Sequence, residues 1–330
     1  MMLKTIMRGR VISCCMRSGN YGCIMNNGSK LSLLKKDFWM NKYIYLMALP
    51  IIAYFIIFAY VPMYGVLMAF QKFNPSDGIL GSQWVGLKHF ADFFSSYYFS
   101  RLITNTLVLS GLEILFGFPI PIIFALLMNE VRNTKFKKTV QTITYMPYFI
   151  SMVVVASLIV EFTSSRGFVV QIMGLFGFEK TSLLSHPEYF PAVYTVSGIW
   201  QTIGFNSILY MAALSAINPE LYEAATLDRA NRWHKIRYIT IPGISTTIII
   251  MLILRLGSVM NVGFEKILLL YNPAIYETAD VISTFVYRKG LQEFNYGYST
   301  AVGLFNSTIN FILLVVANKL SKKFTESSLW

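Results

Sequence analysis

Charge is scarce in this chain and cysteine scarcer. Asp, Glu, Lys and Arg make up 13% of its 330 residues, and the three cysteines, Cys14, Cys15 and Cys23, all lie near the N-terminus. Their spacing suits neither a metal-ligand set nor a disulfide framework, so no chemistry is assigned to them. The three histidines, His89, His186 and His234, fall in different loops, which argues against a histidine metal centre. No phosphate loop of the G-x-x-x-x-G-K-(S/T) type occurs and glycine-rich stretches are missing, so ATP hydrolysis by that route is excluded. With no convergent acid, base or metal set, a membrane-embedded enzyme is disfavoured and the chain is read as non-catalytic, with no cofactor of its own.

Apolar residues are what the chain has in abundance: 55% of the total, with a mean hydropathy of +0.53. That composition belongs to a membrane protein. Six stretches reach the roughly 17 to 25 residues that cross a bilayer as a helix: about 44–70, 103–128, 142–162, 191–215, 243–269 and 300–318. The expected fold is therefore an all-α membrane protein of six transmembrane helices over 43–330, preceded by a basic, partly disordered leader at 1–42 with no signal peptide. The net charge of +12 does not point to nucleic acid, because the basic residues are not gathered on one helix with interleaved aromatics. They sit at the ends of the apolar stretches. Nineteen Lys and Arg lie in the leader, the 129–141 loop, the 218–242 segment and the tail, against seven in the other loops. The excess places the first set, and both termini, in the cytoplasm.

One polar island, Asn218 to Pro242, interrupts the apolar second half. Asn218 suits an N-cap and Pro219 the first helical position, while Glu220 and Glu223 sit where the helix dipole favours negative charge. Pro242 is read as a stop before the next apolar run. The plain reading is a solvated loop between spans. The order Glu223-Ala224-Ala225, then Asp228-Arg229-Ala230, then Ile239-Thr240-Ile241-Pro242 resembles the EAA motif of permease subunits in binding-protein-dependent ABC importers. One residue departs from the pattern: Arg229 stands where the family usually has glycine, which would permit a tighter bend.

Further stretches look like the oligosaccharide and polysaccharide branch of these permeases, among them Gly86-Leu87-Lys88-His89-Phe90, Asn105-Thr106-Leu107, Leu270-Tyr271-Asn272-Pro273 and Ala279-Asp280-Val281-Ile282. The resemblance runs from about residue 43 to the C-terminus. It implies a type I (MetI-like) importer permease in the bacterial cytoplasmic (inner) membrane, with a cytoplasmic coupling helix docking in a cleft of the ATPase. The resemblance assigns that role to Glu223, Ala224 and Ala225, with Asp228, Arg229, Ala230 and Arg232. Implied partners are a second, different permease subunit, two cytosolic ATPase subunits that hydrolyse ATP with Mg, and an extracytoplasmic solute-binding protein that delivers the oligosaccharide. Alginate-type acidic glycans fall within the implied range. The alternative class is an ion-coupled secondary transporter, which the coupling motif and the missing inverted repeat disfavour.

Polar residues inside spans usually face a cavity or a partner. Glu113 and Arg255 are read either as a structural pair or as pathway groups. Trp200, Gln201 and Asn206 offer a stacking ring and amides for a polyhydroxylated ligand, and Asn261 and Glu265 would stand one helical turn apart on the same pathway. Arg255 and Lys266 are candidates for favouring an acidic sugar. The loops Phe90 to Tyr98, Tyr271-Asn272-Pro273 and Tyr287 to Tyr298 are rich in aromatics, which suits an interfacial belt or a landing surface for a delivery protein.

Overall fold

The computed structural model describes residues 3–7, 10–17, 20–25 and 39–325. It divides into two units, Met1–Tyr64 and Gly65–Trp330. In the first, Leu3–Met7 (β1), Arg10–Arg17 (β2) and Asn20–Met25 (β3) pair as an antiparallel meander, with Leu3 opposite Cys14 and Cys14 opposite Cys23. The isoleucine and valine of β1 and β2 suit that geometry. Helix α1 (Lys42–Phe55) follows, and its Ile44, Leu46, Met47 and Ile51 are exposed, the pattern of a lipid-facing helix.

In the second unit a short antiparallel pair, β4 (Gln71–Lys72) and β5 (Gln83–Trp84), follows the end of a 3-10 helix at Phe70, and the rest is mainly helical. Its helices include α2 (Lys88–Phe94), α3 (Tyr98–Leu112), α4 (Pro119–Glu130), α5 (Thr134–Tyr145), α6 (Met152–Thr163), α7 (Phe168–Leu175) and α8 (Phe190–Ser215). After these come α9 (Pro219–Leu227), α10 (Arg232–Lys235), α11 (Ile241–Leu256), α12 (Phe264–Leu270), α13 (Ile282–Tyr287) and α14 (Tyr296–Thr325). Helix α8 is central, packing against α4, α5 and α11. Phe190 and Tyr194 at its start join one buried cluster, with Leu109, Val155 and Ile267, while Tyr210 and Leu214 near its end join another, with Ala125 and Ile244. Gly204 sets the closest approach: a Cβ there would lie 2.3 Å from the backbone oxygen of Thr144 at the end of α5.

Five helical runs among the described residues are long and apolar enough to cross a membrane: Lys42–Phe70, Tyr98–Glu130, Met152–Leu175, Arg232–Leu256 and Tyr296–Lys323. The expected fourth, 191–215, is present as the 26-residue α8 but is not among these runs. Gln201, Asn206 and a series of Ser and Thr make it too polar, and its helical neighbours rather than lipid surround its buried face. The expected third span at 142–162 also moves: Pro147 lies in a tight turn, Met146–Phe149, and the apolar run starts at Met152 and includes α7. The expected fifth, 243–269, is broken. Helix α11 ends at Leu256 and α12 starts at Phe264.

Side-chain amides of α14 hold that break. Asn261 Oδ1 accepts from Asn306 Nδ2 at 2.9 Å and Asn310 Nδ2 at 3.2 Å, and Asn310 Oδ1 accepts the Met260 N–H at 2.9 Å.

Three wide π turns carry helices past prolines. Ile56–Tyr60 precedes Pro62, Glu113–Gly117 precedes Pro119, and Ile236–Thr240 precedes Pro242. In each, the residue just before the proline donates its N–H five residues back: Val61 to Ile56, Phe118 to Glu113 and Ile241 to Ile236. A proline ring collides with the carbonyl four residues earlier, and a locally wider turn relieves that collision without ending the helix. Pro242 therefore does not stop the island, as its position suggested; helix continues from Arg232 to Leu256.

Candidate functional site

Two places collect the residues singled out in the sequence. The first is the island. Asn218 Oδ1 accepts the Glu220 N–H at 3.0 Å and caps α9, leaving a nine-residue helix with no buried side chain. The helix closes on a left-handed residue, Arg229, with φ of 55°. Around it Arg229 N–H reaches Thr226 O at 3.0 Å and Ala230 N–H reaches Ala225 O at 2.9 Å, the paired bonds of a Schellman cap. The bend that glycine would favour thus forms with arginine in its place, at roughly 1–2 kcal/mol of backbone cost. Asn231 then caps α10 through the His234 N–H at 2.8 Å.

Sequence reasoning missed the clamp that folds the island back on itself. Tyr222 Oη and Thr240 Oγ1 are 3.0 Å apart, and Lys235 Nζ donates to Thr226 Oγ1 at 2.7 Å. Thr240 sits in the π turn before Pro242. A pairing across 18 residues leaves no periodic signal in the chain. The outcome is a rigid, solvent-facing turn on which Glu223, Ala224, Asp228, Arg229 and Arg232 are exposed and Ala225 and Ala230 half-buried. Leu227 is 85% exposed and Trp233 69%, so apolar anchors stand beside the charges.

The second place is a cavity of about 370 Å³ between the Glu113–Gly117 turn, α8 and α11. From α8 it takes Thr195, Gly198, Ile199, Thr202, Asn206 and Tyr210, one helical stripe; α11 and the break beyond it add Arg255 and Ser258. Arg255 Nη2 donates to Glu113 Oε2 across the cavity wall. Of the expected pathway residues, the cavity gathers Asn206 and Arg255. Trp200 and Gln201 do not line it: they lie about 120° and 140° around the helix from Asn206, at 100° per residue. Counting back from Asn206 in steps of three and four instead finds Thr202, Gly198 and Thr195. Asn261 is outside it too, its amide oxygen committed to α14, and Asn261 and Glu265 are not one turn apart on a helix because the helix has ended.

Lys266 likewise does not line this cavity. Its Nζ donates to the Tyr194 backbone oxygen at 2.7 Å and lies 4.6 Å from the Tyr194 ring centroid, in a seat that Gly198 leaves open. With Arg255 paired and Lys266 buried, neither presents a free charge to the cavity.

Away from both, three of the quoted motifs converge on one carboxylate. Asp280, fully buried, accepts from Arg288 Nη2 at 2.8 Å and Arg101 Nη2 at 3.1 Å through Oδ2, and from Thr284 Oγ1 at 3.1 Å through Oδ1. Asn105 Nδ2 donates to the Glu277 and Asp280 backbone oxygens at 2.8 and 2.9 Å, and Arg288 Nη1 to Tyr271 Oη. Burial, then the Tyr276 hydrogen bond and the Asp280 charge, raises the Tyr271 phenol above its usual range. Burial opposes the Arg288 charge, but Asp280 outweighs it and holds that guanidinium above its ordinary value.

Residues 117–326 match the family described as binding-protein-dependent transport system inner membrane component. The chain belongs to that family. As a permease of this kind it is 45% identical over 291 residues to the polygalacturonan/rhamnogalacturonan transport system permease protein YteP of Bacillus subtilis (strain 168), covering 88% of this chain and 91% of that one. It is 43% identical over 304 residues to Protein LplB of the same organism, 92% and 94% of the two chains. Among solved structures it resembles a bacterial ABC transporter involved in the import of the acidic polysaccharide alginate, at 47% identity and a TM-score of 0.82, over 88% of this chain and 99% of that one. A bacterial alginate ABC transporter in complex with alginate pentasaccharide-bound periplasmic protein is similar at 46% identity, TM-score 0.82, 89% and 99% coverage. The permease fold is thus shared along nearly the whole chain, and the family places it in the inner membrane.

Proposed function

We propose that this permease carries an oligosaccharide of the uronate-containing class into the cytoplasm. It works with a second permease subunit, two ATPase subunits that hydrolyse ATP, and an extracytoplasmic solute-binding protein. Both termini and the island face the cytosol. The observation that carries the substrate class is the near full-length similarity, at 45 to 47% identity, to permeases named for polygalacturonan and for alginate. The chain contributes no catalytic group; ATP and Mg bind its partners.

The island is the coupling element. Glu223 is exposed on α9, where the small side chains of Ala224 and Ala225 let another backbone come close, and Leu227 and Trp233 offer apolar anchors beside it. Because helix runs unbroken from Arg232 through Pro242 to Leu256, a push on the island reaches Arg255 along one rod. Arg255 lines the cavity beside α8. Motion of the ATPases can in this way alter the cavity by rocking of packed helices.

Reversing one charge tests the coupling role. Glu223→Lys is expected to abolish uptake driven by ATP while the protein stays in the membrane at normal abundance. Undiminished uptake, or copurification of the ATPase at the wild-type ratio, removes Glu223 from the docking contact.

A further inference from the structure

Outer-loop cations are few in this chain, and three of them converge. Lys72 on β4, Lys88 at the start of α2 and Lys289 after α13 line one pocket of about 560 Å³, together with His89, Asp92 and Tyr98. The sequence distance between Lys72 and Lys289 makes the convergence a product of folding. Gly86, with φ of 61°, turns the chain into α2. His89 Nε2 bonds to the Gln71 backbone oxygen at 3.0 Å and ties α2 to β4. Gly297 closes the third side: a Cβ there would meet Gln71 O at 2.5 Å and His89 Nε2 at 2.9 Å, so only glycine seats the start of α14 against both.

Two of the three lysine charges of this pocket are not spent internally. Lys72 and Lys88 make no ion pair among the described residues, whereas Lys289 Nζ bonds to Glu293 Oε2 at 2.6 Å. Asp92 is the one acidic side chain on the lining. Beside the lysines lie the half-exposed ring of Tyr98 and the hydroxyl-bearing Tyr298, with Phe285 beneath. Two free ammonium groups next to aromatic faces and hydroxyls suit a ligand with carboxylates on an otherwise hydroxylated, CH-faced body. The volume is that of an ordinary small-molecule site.

The geometry points to a reception site for an acidic sugar in this pocket, Lys72 and Lys88 holding a uronate carboxylate while Tyr98 packs on the sugar ring. This rests on the proposed uronate substrate and adds a place where the chain itself reads that charge. Selectivity for acid then lies here, on the face where the sugar arrives, and not at Arg255 or Lys266.

The test uses the assembled transporter, purified with its partner subunits in nanodiscs and without the binding protein. Equilibrium binding of trigalacturonate is compared with that of its methyl ester, in wild type and in the K72Q/K88Q variant. Wild type is expected to bind the acid, and the variant to lose about tenfold or more in affinity for it, since charged hydrogen bonds are removed. The methyl ester should bind weakly and equally to both, and the thermal unfolding midpoint should not move. No binding of the acid by wild type, or equal binding by wild type and variant, overturns the assignment. So does a variant that keeps trigalacturonate but loses the solute-binding protein, which would make the lysines a protein-docking surface. Uptake with the binding protein present reports separately on the substrate class: bound but never imported trigalacturonate refutes the uronate substrate and leaves the pocket as a carboxylate site.

Discussion

Arg101 and Arg288 differ from Lys72 and Lys88 in almost everything except sign. The two arginines close on a carboxylate with no exposure to solvent, their planar forks sharing Asp280 Oδ2 at 3.1 and 2.8 Å. The two lysines stand exposed on a pocket wall with no acidic partner among the described residues. A guanidinium is weakly hydrated and geometrically matched to a carboxylate, so it tolerates burial; an ammonium is compact, strongly hydrated and better kept available. The arginines pin α3 to the α13 region, while the lysines leave a charge for something outside the chain. The contrast separates a cation that holds the fold from one that awaits a ligand.

Removing the shared anion should give the largest effect. Asp280→Ala leaves two guanidiniums facing a buried space without compensation, and a loss of about 3–5 kcal/mol in stability is expected. Thermal unfolding of the purified complex in detergent measures it. A shift no larger than that of K72Q/K88Q would erase the distinction between the two sets.

The Glu113–Arg255 pair tests an intermediate case, because both side chains are about a third exposed on the cavity, at 27% and 33%. Solvent screens part of the interaction, so Glu113→Ala is expected to cost about 1–3 kcal/mol. Adding Arg255→Met to the same chain should recover most of that. A double-mutant cycle on unfolding midpoints reads the coupling directly.

Arg229 is the smallest case. Its contribution is a backbone angle rather than a charge, with φ of 55° where glycine is unstrained. Arg229→Gly should therefore stabilise the permease by about 0.5–1 kcal/mol, the relief of left-handed strain less the extra freedom of glycine in the unfolded chain. Chemical denaturation provides the measure, and destabilisation would show that the arginine side chain, not the turn, is what matters.

Much of this molecule is readable from order and composition. Hydropathy identifies a membrane protein because apolar side chains must leave water whatever their neighbours, and the cap at Asn218 is local, formed with backbone two residues away. The character of the island and the pairing-competent charges at Glu113 and Arg255 are visible for the same reason. What the tertiary structure alone decided is which polar groups meet. Helix α8 reads as a span by length, yet its Gln201 is buried among other helices while its Asn206 opens on the cavity, and only packing reveals that. A proline reads as a stop until a π turn five residues deep lets Pro242 stay inside a helix. Asp280 with Arg101 and Arg288, and Lys72 with Lys88 and Lys289, are brought together across as many as 217 positions. Periodicity cannot foresee such encounters, because long-range contact is set by how whole helices pack and not by the spacing of residues within any one of them.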